Sequence, residues 1–386
     1  MKNLNQINFQ NIKNVGIRAD FNVPTDDKFH VTDNTRLLRA KDTIDFVFKN
    51  ECKILLLSHF GRPKESFDDK FSFTNLIDQF SDILGYEIHL LPYEAFLQKG
   101  LKQFNESTNK ITLLENIRFF EGEKKNDEVF SQLITNELDL FINEAFSASH
   151  RSHASVNQMA KNILSTPGFN FSKEVTAINN IKNSAKRKLA IIGGSKVSTK
   201  IKTLLSLTQS CSNIFIGGAM ANNFLKYQGI AVGQSLIEEG SEEMIKDIYK
   251  LANKTGCEVH LPTDVVLDDE QSLSIDRLYD RNQFSILDLS IHSIEVLEQL
   301  VQRSEIVLWN GPMGMIEDPR FSKGSSKLAH LLANSSCDVV IGGGDTLLAI
   351  NIAGVSFDDY HFVSTAGGAF LEALEDKELP GIIALQ

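Results

Sequence analysis

Cysteine is scarce. The 386 residues hold four, Cys52, Cys211, Cys257 and Cys337, far apart and with no C-x-x-C pair. That spacing argues against a disulfide framework or a thiolate metal site and fits a reducing cytosol. No apolar run approaches the roughly 18 residues that span a bilayer, and the opening MKNLNQINFQ lacks the apolar core of a secretory signal. The expectation is a cytoplasmic protein with no membrane partner. A basic excess is missing too: 39 Lys and Arg against 50 Asp and Glu leave a net charge of −11, which argues against nucleic acid as a partner. An acidic chain still binds an anion where its basic groups are gathered, so their distribution matters more than their sum.

The usual nucleotide motifs are also absent. No G-x-x-x-x-G-K-[ST] occurs, which excludes a Walker-type NTPase, and no G-x-G-x-x-G follows a strand, which counts against a dinucleotide dehydrogenase. Protein-kinase H-R-D and D-F-G signatures are missing as well.

What is present is an alternation of short apolar runs with longer stretches of helical period. NVGIRADF, CKILLLSHF, EIHLLP, KITLLEN and LDLFINEAF read as strands in the first half. KLAIIGG, SNIFIGG, EVHLPTDVV, EIVLWNG, CDVVIGGGD and HFVSTAGGA do so in the second. Their near-continuous apolarity predicts sheets covered by helices on both faces, hence parallel, doubly wound α/β domains. A chain of this length predicts two of them. The boundary is expected near residues 165–185, where STPGF interrupts the pattern and Ser172 is placed as the cap of a connecting helix, SKEVTAINNIKNSAK.

The two halves differ at their strand ends, where ligands bind in open parallel sheets. Up to residue 170 there are six of the 24 glycines but six of the 11 arginines. The first half carries Arg18, Asp20 and Asn22 in RADFNVP, His59 and Arg62 in SHFGRP, and Arg118 in ENIRF. SASHRSH adds His150, Arg151 and His153, and Arg36 opens the first helix. A guanidinium is a rigid fork of donors suited to phosphate and carboxylate, at about 1.5–3 kcal/mol per charge-assisted bond. Gathered on one edge, these residues predict a site for a small, multiply charged anion.

The second half offers IIGGSK, FIGGAMA, WNGPMG, IGGGDT and STAGGA instead. Glycine lets backbone N–H groups approach phosphate oxygens, and a helix starting after such a turn adds its positive end. Lys196 and Lys200, four apart, are expected on one helical face. Asp345 in GGGDT is a hard oxygen ligand placed where Mg²⁺ bridges phosphates. Together these predict a nucleotide phosphate site.

RADFNVP, SHFGRP, LLENIRF, HRSHAS, GGSKVSTK, GGAMANNFLK, WNGPMG, GGGDT and STAGGA, in that order and ending in LPGIIAL, give the chain its resemblance to phosphoglycerate kinase along nearly its whole length. The resemblance implies two Rossmann-like doubly wound domains joined by a helix and hinge. Residues 1–170 would bind 3-phosphoglycerate, 171–186 form the interdomain helix, and 187–370 bind Mg-ATP or Mg-ADP. A tail, 371–386, would pack back on the first domain. The positions matching the family's substrate site are Asp20, Asn22, Arg36, His59, Arg62, Arg118, His150 and Arg151. Those matching its nucleotide site are Lys196, Lys200, Gly218, Asn310, Glu317, Gly343, Gly344, Asp345 and Thr346. Arg36, Lys196 and the backbone at Gly344 and Gly367 match the groups that stabilise the phosphoryl group in transit. The implied substrates are ADP, ATP, 3-phosphoglycerate and 1,3-bisphosphoglycerate, with Mg²⁺ as cofactor and a monomer as the working form.

Three segments depart from the family's usual pattern. Glu144 and Ser147 stand where Asp and Gly are common, Asp288-Leu289-Ser290-Ile291 stands for D-I-G-P, and Ala366 occupies the usual start of the last glycine run. A catalytically silent relative would have lost a charge-neutralising residue, yet Lys196, Lys200, Arg36 and Asp345 are all present.

Overall fold

A computed structural model describes residues 2–64, 66–281, 283–375 and 377–386. The chain divides into two compact units, residues 1–176 with 378–386, and residues 177–377.

The first unit is built on six parallel strands: β1 (Asn14–Arg18), β2 (Lys53–Leu57), β3 (Ile88–Leu91), β4 (Ile111–Leu114), β5 (Leu140–Asn143) and β6 (Ser165–Pro167). They lie in the order β3-β4-β2-β1-β5-β6. Helices cover both faces, so strand residues such as Leu55, Leu56 and Leu57 are wholly buried, which is why alternation is absent from their sequence. The order reverses between β1 and β5, and the crevice of such a sheet opens there.

The second unit repeats the plan with β7 (Lys188–Ile192), β8 (Asn213–Ile216) and β9 (Glu258–His260). A small antiparallel sheet follows, made of β10 (Asp264–Leu267), β11 (Ser272–Ser274) and β12 (Ile286–Leu289). The chain then returns to the main sheet through β13 (Ile306–Asn310), β14 (Asp338–Gly342) and β15 (Phe362–Val363). The main sheet runs β15-β14-β13-β7-β8-β9, all parallel, with its switch point between β13 and β7. The three-stranded sheet has the order β11-β10-β12.

Three sequence expectations need correction. EVHLPTDVV is not one strand: it breaks at Pro262, and its halves join different sheets. STPGF contains β6, and the following helix starts at Phe169, so Ser172 is not a cap. Its hydroxyl instead donates back to Gly168 O at 2.8 Å, inside the first turn. Lys196 and Lys200 do not share a helical face, because the helix begins only at Ile201 and both lysines lie in the irregular segment before it.

Candidate active site

In the first unit the loops leaving β1, β2, β4 and β5 hold each other. Arg18, at the end of β1, is buried to 1% exposure. Its Nε donates to Ser155 Oγ at 2.8 Å, Nη1 to Ala19 O, and Nη2 to His59 Nδ1 at 3.1 Å. Burial pulls the Arg18 guanidinium below the ordinary arginine pKa, and the Glu123 and Asp20 carboxylates oppose that. Arg18 is therefore the framework cation of this edge.

Burial, followed by the charges of Arg18, Arg151, Arg36 and His153, pushes His59 well below its ordinary value, so the imidazole stays neutral. Because Nδ1 accepts from Arg18, the His59 proton resides on Nε2.

Asp20 ties two loops and a helix. Its Oδ2 accepts from Arg36 Nη1 at 2.8 Å and from the Ser147 hydroxyl, and Oδ1 accepts from Asn22 N at 3.1 Å. Asn22 Oδ1 accepts from Gly61 N at 2.8 Å, and Arg118 donates to Gly61 O at 2.5 Å. Ser147, one of the departures from the family pattern, thus becomes an extra donor to Asp20. His150 Nε2 accepts from Arg151 Nε at 3.0 Å, which leaves the His150 proton on Nδ1, a buried donor without a hydrogen-bond partner. Arg62 follows Gly61 on the same loop, exposed and apart from this network. The structure joins Asp20, Asn22, Arg36 and Arg118 through shared partners, ties His59 to Arg18 and pairs His150 with Arg151.

Glu144, the other departure in this loop, is buried at the start of helix Phe169–Asn183. It accepts from Asn170 N at 2.9 Å, Phe171 N at 3.1 Å and Thr43 Oγ1 at 2.9 Å. Its extra methylene, relative to Asp, is used to cap that helix. Burial pushes its carboxyl up to about 7, against the pull of those three donors.

In the second unit, glycine turns crowd the switch point. Gly193 N donates to Asn310 O at 2.8 Å, and Met220 N to Gly194 O at 2.7 Å. Gly311, at φ +93°, approaches so closely that an added Cβ would lie 2.4 Å from Gly193 O. Gly218, at φ +63°, leaves 2.8 Å for a Cβ against Gly194 N and Pro312 O.

Lys200 crosses this packing. Its Nζ donates to Gly193 O at 2.7 Å and Asn310 Oδ1 at 2.6 Å, while Asn310 Nδ2 donates to Gly342 O at 2.6 Å. Desolvation draws Lys200 down to about 8, with Asp345 opposing. Thr346 Oγ1 joins Gly342 O to Gly311 N. Gly343 has φ +100° and Gly367 φ +56°. Ala366 is not in the positive-φ region, so the alanine departure is accommodated without strain. An added Cβ at Gly344 or Gly367 would meet nothing within 4 Å, so both backbones face open space.

Beside these turns lies a cavity of about 320 Å³. Leu225, Leu236, Val265, Ile286 and Met313 give it apolar walls, and Glu317 and Asp345 stand among its lining residues. Sequence reasoning missed that the small antiparallel sheet supplies Val265 and Ile286. It also missed Asn222, which lines the cavity with its Oδ1 unpartnered while Nδ2 donates to Leu236 O at 3.2 Å. Nothing in the local sequence marked either.

Among the described residues no group of three or more His, Cys, Asp or Glu could hold a metal. A single exposed carboxylate, Asp345, at the start of helix Gly344–Ala353 suits a divalent cation carried chiefly by phosphate oxygens.

A basic strand-end edge on one parallel sheet and glycine turns beside a cavity on another define a two-domain α/β phosphotransferase. A profile of the phosphoglycerate kinase family matches residues 4–377. The chain is 37% identical over 385 residues to the phosphoglycerate kinase of Wolbachia sp. subsp. Drosophila simulans (strain wRi), covering 97% of this chain and 96% of the relative. It is 39% identical over 386 residues to that of Prochlorococcus marinus (strain MIT 9312), with 97% and 95% covered. The solved phosphoglycerate kinase of Coxiella burnetii superposes with a TM-score of 0.89 at 32% identity, over 100% of this chain and 98% of that one. This chain belongs to the phosphoglycerate kinase family.

Proposed function

We propose that the chain is a working phosphoglycerate kinase that transfers a phosphoryl group reversibly from 1,3-bisphosphoglycerate to ADP, giving 3-phosphoglycerate and ATP. The first unit holds the phosphoglycerate and the second the nucleotide. One observation carries the reading. Lys200 is spent inside the glycine turns, whereas Lys196 is exposed beside them, its ammonium without a hydrogen bond or ion pair to any described residue. A free ammonium at the mouth of a phosphate cradle is what a migrating phosphoryl group requires.

The acceptor in the direction of ATP use is a carboxylate, ionised at neutral pH, so no general base is needed. The residues must instead align the reactants and neutralise the charge that spreads over the transferring oxygens. Arg118, Arg151, Arg62 and the His150 Nδ1–H hold the phosphoglycerate anion, while Asp20 fixes Arg36 toward the carboxyl end. Lys196 and the amides at Gly344 and Gly367 meet the phosphoryl oxygens. The apolar cavity takes the base, Glu317 the ribose, and Lys200, Gly218, Asn310, Gly343 and Thr346 shape the phosphate cradle. Asp345 would hold Mg²⁺ together with the nucleotide phosphates, and the ion would supply charge neutralisation when bound. Transfer requires the acceptor carboxylate and the nucleotide phosphates in line and shielded from water.

We place the enzyme in the cytoplasm as a monomer. The four free cysteines fit a reducing compartment, and the monomer is what the resemblance to the family implies.

The test is a coupled assay with calorimetry. Lys196→Ala is expected to lower kcat by about 10²–10³-fold while the dissociation constant of ADP stays within about threefold. A near-normal kcat removes Lys196 from the transition state, and a wild-type protein without turnover removes the whole reading.

A further inference from the structure

Lys196 lies between β7 and helix Ile201–Ser210, in a segment with little internal structure. The wholly buried Val197 anchors one point of it. The second anchor is remote in sequence. Ser198 gives its N–H to Glu238 Oε2 at 3.0 Å and its hydroxyl to Glu238 Oε1, and the Val197 N–H serves the same carboxylate.

Glu238 is itself fixed. Its N–H donates to Asn223 Oδ1 at 2.6 Å, and Asn223 is buried in helix Gly218–Tyr227, which begins at the Gly217–Gly218 turn. The neighbouring Asn222 holds Leu236 O at 3.2 Å. Two adjacent asparagines therefore pin residues 236–238 to the helix, and from that strap one carboxylate reaches the lysine segment.

We propose that Glu238 is a positioning residue for the phosphoryl transfer, holding residues 197 and 198 so that Lys196 is presented to the transferring group. This rests on the reading of Lys196 given above. A carboxylate placed here repels the phosphates it works beside, so the arrangement gives up affinity and gains geometry. The Lys196 charge is among the causes, after the Ser198 and Val197 hydrogen bonds, that hold Glu238 below the usual carboxylate range. The acid is thus ionised, and both its oxygens accept.

The test compares Glu238→Ala with Glu238→Gln in the full chain. Removing both acceptors is expected to lower kcat about tenfold or more, with the KM for ADP within about threefold and the thermal midpoint nearly unchanged. Gln keeps one acceptor and discards the charge. It is expected to restore most of kcat, with a KM for ADP equal to or below that of the wild type. Amide hydrogen exchange at residues 197 and 198 is expected to quicken in the Ala variant, a readout that needs no turnover. The proposal is overturned by an Ala variant with wild-type kcat, by a loss confined to KM, by a Gln variant no better than Ala, or by unchanged exchange. An inactive wild type with quickened exchange in Glu238→Ala would sink the kinase reading and leave the anchoring intact.

Discussion

The two lysines of GGSKVSTK show how one residue type takes two roles from its surroundings. Four residues apart, they invited placement on a common helical face, but the helix starts only after the second. Spacing alone could not show this, because the partner that holds Ser198 is Glu238, forty positions away. With Lys200 drawn to about 8 by burial, its charge is lost as pH rises through that value. An anion binds the protonated form, so ADP affinity is expected to weaken between pH 7 and 9. Calorimetry across that range checks it. Lys200→Met is expected to bind ADP about tenfold more weakly at pH 7 and to show a flat profile. A wild-type affinity that does not move with pH would contradict the assignment.

At the scale of elements, the parallel strands were legible because burial on both faces writes an unbroken apolar run. The arginine-bearing and glycine-bearing loops were legible because both follow such runs. The small sheet of β10, β11 and β12 was not. Its strands are short, β10 follows β9 after a break at Pro262, and β12 shows no run long enough to stand out. The part of the cavity wall that this sheet supplies was therefore hidden. The glycine turns carry a prediction of their own. At Gly311 a methyl group meets Gly193 O at 2.4 Å and Lys200 Nζ at 2.8 Å, in a backbone conformation with φ +93°. Gly311→Ala is expected to cost about 1–3 kcal/mol of stability. It is also expected to weaken ADP binding while leaving 3-phosphoglycerate affinity intact. Denaturant melts and calorimetry with each ligand separate the two effects.

At the scale of the whole molecule, the chain leaves the first unit within helix Phe169–Asn183 and rejoins it at Glu378, while helix Gly368–Leu374 stays with the second. Residues 378–386 bury Leu379 and Leu385, and Gly381 N donates to Ser149 O at 3.0 Å, one position before His150. The tail thus buttresses the loop that carries His150 and Arg151. At Gly381 an added methyl group would lie 2.5 Å from Ser149 Oγ and 3.0 Å from its Cα. Gly381→Ala is expected to weaken 3-phosphoglycerate binding several-fold and to leave ADP binding unchanged, both read by calorimetry. Equal losses for the two ligands would show a general effect of unfolding instead.

That late return has a consequence for synthesis. On the ribosome, residues 378–386 emerge only after every residue of the second unit. The earliest-made half of the protein therefore waits, with its anion-holding loop lacking a brace, until the later half is complete. A nascent chain halted anywhere between 177 and 377 carries a first sheet in full, yet its acid-binding edge is unfinished, and ligand capture by such a chain is expected to be impaired.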